Sequence, residues 1–311
     1  MDYARFVLAN RRFLAFGFLL PFFSAFGQTF FIGIFGAELR GDFGLGNGAF
    51  GLIYSLATLA NAAAFVWLGR LIDRVDLRSY TAATCAAYIG ACLYMAYVPT
   101  LPILLFVGFV LLRLTGQGLM SHIGVTAMGR QFDAGRGTAV SIASLGFPVA
   151  EAVFPPAGVA LMALVGWRQT WLIIGIALAV VLLPGVMWLL RGHGERERRR
   201  RAELETASAA GEGSWLLAEV LRDPGFYRVL PAVLLSPFTV TGLFFHQAAL
   251  VEDKGWTLGW FATAFVVYAA ASVAGTLGSG PLIDRLGATR LLPFFLLPLA
   301  AGLGLLAVGE A

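Results

Sequence analysis

Leu71-Ile72-Asp73-Arg74 recurs as Leu282-Ile283-Asp284-Arg285, 211 positions later in a chain of 311 residues. Each copy occupies a short charged turn between two long apolar stretches. A string repeated at that offset marks a duplicated unit, and a polar turn returning once per unit is the pattern of repeated helical bundles.

Working outward from the two turns, 59% of the residues are hydrophobic, 13% are charged and the mean hydropathy is +0.79. These values lie outside the range of a soluble domain and imply a polytopic membrane protein. Crossing about 30 Å of hydrocarbon takes roughly 20 apolar residues per helix. Nine segments qualify, at about 13–36, 47–68, 79–98, 102–122, 138–163, 169–190, 226–250, 257–279 and 290–308. Uncharged runs of this length exclude the alternating pattern of a β-barrel, so the fold class is all-α. Arg5, Arg11 and Arg12 precede an apolar stretch about twice as long as a signal-peptide core, which predicts a retained first span. Cys85 and Cys92 lie seven positions apart on one span. That is roughly 10 Å along a helix, too far for a disulfide, so both read as small core residues.

The charge pattern sets an orientation. With Met1 in the cytoplasm, 18 of the 22 Lys and Arg fall inside, Arg40, Arg168 and Lys254 outside, and Arg113 within a span. The positive-inside rule is then satisfied, for an inner membrane as the site of residence. The formal net charge of +4 is thereby explained without nucleic acid, for which no basic soluble face exists. The cluster between Arg191 and Arg201 opens a polar stretch to Asp223, read as a cytoplasmic linker at 192–223. It separates a six-helix bundle at 1–191 from three helices at 224–311. The 211-residue offset carries the first span onto about 224–247, where the seventh is found, and sets Pro21 one position from Pro231. Carried past the sixth span, it places the end of a complete second bundle near residue 401, so a truncation after the ninth helix is expected.

Gly69-Arg70-Leu71-Ile72-Asp73-Arg74-Val75-Asp76-Leu77-Arg78 resembles the major facilitator signature between helices two and three. Gly280-Pro281-Leu282-Ile283-Asp284-Arg285-Leu286-Gly287 is similar to its weaker copy between helices eight and nine. Arg113-Leu114-Thr115-Gly116-Gln117-Gly118 is similar to the family's Arg-x-x-Gln-Gly element with Gln and Gly exchanged, and Gly166-Trp167-Arg168 is another frequent facilitator element. The resemblance covers the whole chain. It implies two rocking bundles, alternating access and a small-molecule substrate. It also implies that Asp73 latches against a helix eleven, and that Asp284 faces the start of helix five near Arg136. Gly69 is expected to permit close backbone approach, and Asp73 to serve a neighbouring helix N-terminus. Arg74, Arg78, Arg285 and Arg290 read either as gating residues or as orientation charge alone.

Charges inside spans are the sharper signal, because an ionised group at mid-bilayer costs several kcal/mol unless paired or wetted. Arg113 lies halfway along the fourth span and Glu151 halfway along the fifth, so a mutual ion pair is expected. Arg113 then holds an anionic solute or orients the bundle, and Glu151 takes up the coupling proton. The plainer alternative is a salt bridge that never meets solute. Ser24 and Gln28 share a face of the first span, and Gln117 one of the fourth. His246 and Gln247 stand near the outer end of the seventh; these polar groups are candidates for lining the cavity, although a histidine there also reads as simply hydrated. Asn61, and the small-residue pairs Gly51 with Ser55 and Ala271 with Gly275, read as helix packing.

No His-Glu-x-x-His, Gly-x-Ser-x-Gly, paired-Asp metal motif or Walker A string occurs, so neither an enzyme nor a metal or cofactor site is expected. Nor is a selectivity filter visible. The expectation is a monomeric secondary transporter, driven by protons and carrying a small organic solute such as a carboxylate. The alternatives are an amphiphile efflux carrier of the same fold and a non-transporting membrane scaffold.

Overall fold

The computed structural model describes residues 3–132, 135–192, 194, 219, 221–286 and 288–308. Side chains are described for the same residues except 3, 4, 276–286, 288 and 289. Among the described residues there is no strand, and each of the nine apolar segments is helical. Among the described residues six helices are long and apolar enough to cross a membrane: Arg5–Phe43, Asn47–Asp73, Pro102–Gln131, Arg136–Leu189, Pro224–Phe245 and Leu258–Gly275. Arg136–Leu189 contains both the fifth and sixth spans, separated by Gly166, whose φ of 80° breaks the helix. The third span is the 21-residue helix Leu77–Tyr97, and the ninth lies in the shorter apolar stretch Leu292–Val308.

The sequence pattern explains the faces. On the second span Phe50, Tyr54, Ala57 and Asn61 follow a three-to-four spacing and are buried, while Leu52, Leu56, Leu59, Val66 and Trp67 are exposed. In a bilayer that exposed apolar face meets lipid, so the polar residues turn inward. Cys85 and Cys92 are free and buried.

The chain divides into two compact units. The larger holds Met1–Arg191 and Phe245–Gly275, so the stretch from Phe245 through most of the eighth span packs with the first six. Its interior is aromatic, with Phe31 and Phe35 packed on the fully buried Trp171. The smaller holds Gly192–Phe244 and Thr276–Ala311; it contains most of a helix with Pro231 and Pro237 inside it, and its last helix, Leu297–Val308, buries no side chain. Most of the 192–223 linker, and the side chains of Gly280, Asp284 and Arg285, lie outside the described residues.

Gly-Trp-Arg acts as a clamp at one end of the larger unit. A Cβ on Gly166 would meet nothing within 4 Å, so its glycine is required by backbone conformation alone. The turn lets Trp167 Nε1 donate to Asp42 at 3.0 Å and Arg168 donate to the Val98 carbonyl at 2.7 Å. The connection between spans five and six is thereby tied to the ends of spans one and three.

Candidate functional site

Pro21 leads the sequence to predict a first span that bends, and the chain goes further and breaks in its middle. It is α-helical to Phe23, runs as a 3-10 turn over Ser24–Gly27, and is extended at Gln28 with φ −84° and ψ 152° before helix resumes at Thr29. Pro21 lies just upstream of the break. The freed carbonyls find hydroxyls: Ser24 Oγ donates to the Pro21 carbonyl at 2.7 Å, and Tyr88 donates to those of Phe23 and Ser24 at 3.1 and 3.2 Å. Such satisfaction from neighbours is what allows irregular backbone at membrane depth.

The fourth span is irregular at the same level, with a π-helical stretch over Arg113–Met120. Glycine brings the two irregular segments together. A Cβ on Gly27 would lie 2.3 Å from the Leu112 carbonyl oxygen, and one on Gly116 would lie 2.6 Å from the Tyr88 ring and 2.8 Å from Gly27 Cα. This explains why glycine precedes glutamine in Gly116-Gln117: position 116 faces the crossing, where only hydrogen fits.

Arg113 is 3% exposed, and its guanidinium donates to Thr29 Oγ1 at 2.9 Å and to the Tyr54 hydroxyl. Tyr54 in turn donates to Thr29 at 2.7 Å, and the guanidinium carbon lies 4.6 Å from the Tyr54 ring centroid. The expected ion pair with Glu151 is not formed. Arg113 is turned toward spans one and two by these neutral hydroxyls, and among the described residues no carboxylate pairs with it. Its Nε, the Gln117 Oε1 and the Asn61 Oδ1 are buried without a hydrogen-bond partner.

Ser24 and Gln28 meet directly, as the spacing predicts, and Ser121 joins them. Ser121 donates to Ser24 Oγ at 3.0 Å, and the Gln28 amide lies 3.3 Å from Ser24 Oγ and 3.5 Å from Ser121 Oγ. Glu151 stands apart on the fifth span, half-buried and within electrostatic reach of Tyr268 on the eighth. Pro155 and Pro156 lie one turn further along its helix, and their missing N–H groups release the Glu151 and Ala152 carbonyls.

Gln247 is fully buried, donating to the Phe30 carbonyl at 2.7 Å, so it fastens helices rather than standing free. His246 is exposed and rests against Gly51. Beyond it, Glu252 pairs with Arg40 at 3.1 Å.

The Asp73 turn also departs from expectation. Asp73 pairs with Arg130 at the end of the fourth span, and the helix N-terminus is capped by Asp76, which accepts from Ser79 N at 3.0 Å. Gly69 has ordinary right-handed geometry, and a side chain there would press on the Phe65 ring at 3.3 Å. Arg74 and Arg78 are exposed.

Sequence reasoning missed Thr29, Tyr54 and Ser121, each brought to the cluster by a partner distant in sequence. Gly27 and Gly116, small residues in apolar helices, were the available signal. In comparison with known families, the model described as Major Facilitator Superfamily matches residues 17–310. A comparison with curated proteins gives no match.

Proposed function

As the chain belongs to the Major Facilitator Superfamily, it is a multi-pass membrane protein and a secondary transporter, and we propose that it carries a small organic carboxylate coupled to protons. The observation that supports this is the state of Arg113. Among the described residues this buried cation meets two neutral hydroxyls and the Tyr54 ring but no carboxylate, so its charge is uncompensated, and a carboxylate is the partner that guanidinium geometry favours. The open acceptors on Gln117 and Asn61 favour a solute that also carries hydroxyl or ammonium donors. Ser24, Gln28 and Ser121 complete a polar lining.

Glu151 is assigned the coupling proton. Among the described residues no cation neutralises it, so inside a bilayer its protonated form crosses between states at lower cost than its charged form. Asp73 with Arg130 serves as a gating turn, and the repeat assigns the same part to Gly280, Asp284 and Arg285. The basic-residue count supports a cytoplasmic N-terminus in an inner membrane, with the chain acting as a monomer.

The test is flux into liposomes with an imposed pH gradient, using labelled lactate, glutamate, gluconate and benzoate beside amphiphilic cations. The expected outcome is gradient-dependent accumulation of at least one carboxylate. Accumulation of the cations alone favours the efflux reading, and no flux at all favours a scaffold.

A further inference from the structure

Tyr54 touches both the Arg113 site and a cluster of aromatic rings. The Arg113 guanidinium lies 4.6 Å from its ring and donates to its hydroxyl. The Phe245 ring lies 3.8 Å from it and nearly parallel, at 21°. Phe245 also stacks on Phe50 at 4.7 Å and meets Phe109 edge-on at 6.2 Å. Phe50, Tyr54, Phe109 and Phe245 are each 3% exposed or less. Past Phe245 the same seam continues through Gln247 on the Phe30 carbonyl and ends at the Arg40–Glu252 pair. This buried aromatic group therefore packs beside the Tyr54–Arg113 contact, and the chain leads on from Phe245 to Glu252, the partner of Arg40.

We propose that Tyr54 is a positioning residue that links occupancy at Arg113 to the aromatic seal made by Phe245. The guanidinium and the Thr29 hydroxyl fix the Tyr54 hydroxyl, and through it the ring against which Phe245 stacks. A carboxylate that takes the guanidinium competes with the hydroxyls for the same N–H groups, because a bidentate ionic partner outbids a neutral one. Tyr54 then loses its anchor and Phe245 its flat platform, so the seam loosens when solute is bound. The solute-dependent half of this proposal rests on Arg113 holding a carboxylate; the link between Arg113 and Tyr54 does not.

Cysteine accessibility in nanodiscs tests it. Val251→Cys, in a chain with Cys85 and Cys92 changed to Ala, is the reporter, since Val251 is 5% exposed and lies on the helix Gln247–Asp253 that follows Phe245. Gly46→Cys, at an exposed position, is the reference for folded protein. Tyr54→Phe and Arg113→Gln should each raise maleimide labelling of the Val251 reporter by about tenfold, the scale of losing one charge-assisted hydrogen bond. The double variant should add nothing further, since both changes cut one link. Thr29→Val, which removes the hydroxyl's other partner, should act in the same direction. Phe245→Leu should raise labelling in every background. In protein that keeps Tyr54, any of lactate, glutamate, gluconate or benzoate that binds in an Arg113-dependent way should raise labelling. In Tyr54→Phe it should bind without changing the rate.

Unchanged labelling in Tyr54→Phe and Thr29→Val, with the reference normal, overturns the link. So does unchanged labelling in Phe245→Leu, which would mean that these rings do not seal. A working link with no Arg113-dependent binding of any of the four overturns the carboxylate reading and leaves the Tyr54 link standing.

Discussion

Arg113 and Glu151 are charges of opposite sign on successive spans, and their surroundings differ completely. Arg113 lies at a crossing of two irregular segments, held by Thr29 and Tyr54 from two other spans. Glu151 lies on a helix one turn before Pro155 and Pro156, half-buried, with Tyr268 as its electrostatic neighbour. The difference teaches that a charge at membrane depth is not by itself a role. On the proposed reading the charge hydrogen-bonded to hydroxyls binds solute, whereas Glu151, for which the described residues provide neither counter-charge nor such an anchor, carries the proton.

Replacing each partner in turn sharpens that contrast. Glu151→Gln should abolish accumulation driven by a pH gradient while leaving solute exchange intact, measured as uptake against counterflow in liposomes. Retained accumulation would remove the coupling role and make Glu151 a packing residue. The Arg113 side depends on the closeness of its helices, so Gly27→Ala should destabilise the protein by about 3 kcal/mol, the upper range for overpacking, because the Leu112 carbonyl is backbone and cannot turn aside. Thermal unfolding of the purified variant checks this. A smaller loss, about 1 kcal/mol, is expected for Gly166→Ala, where the positive φ alone is at stake and the Asp42 clamp remains.

The smallest effect concerns His246, beyond the span Pro224–Phe245. Although the residue as a whole is exposed, partial burial of its ring beside Gly51 first, and then the positive charge of Arg40, hold it below the ordinary histidine range. The folded protein therefore binds its proton less readily than the unfolded chain. Its contribution is present above pH 6.5 and is lost as pH falls through the lowered folded value. His246→Gln should flatten the acid side of the unfolding profile slightly, and an unchanged profile would mean that the ring is fully hydrated.

How much of this was legible in the sequence follows from the kind of interaction involved. The helices, the family and the charged turns were readable because lipid imposes length and apolarity on each span separately. Pairings were not. The sequence marks Arg113 as a charge within a span, but its expected partner was Glu151, the opposite charge at similar depth on the next span, and the structure gives it hydroxyls 84 and 59 positions away. Pro21 signals a bend in the first span, but the apolar run does not show that the helix is interrupted as far as Gln28. Asp73 was expected to serve a helix end, yet Asp76 caps that helix and leaves Asp73 to Arg130. A turn with two carboxylates offers no way to choose between them without the neighbouring span.

The account rests most heavily on Arg113 as an anion site. The direct measurement is equilibrium binding of whichever labelled carboxylate the liposome assay selects, to the parent protein, Arg113→Lys and Arg113→Gln. Losing a buried charge-assisted contact predicts about a hundredfold weaker binding in Arg113→Gln, with Arg113→Lys between the two. Equal affinity in all three proteins would contradict it.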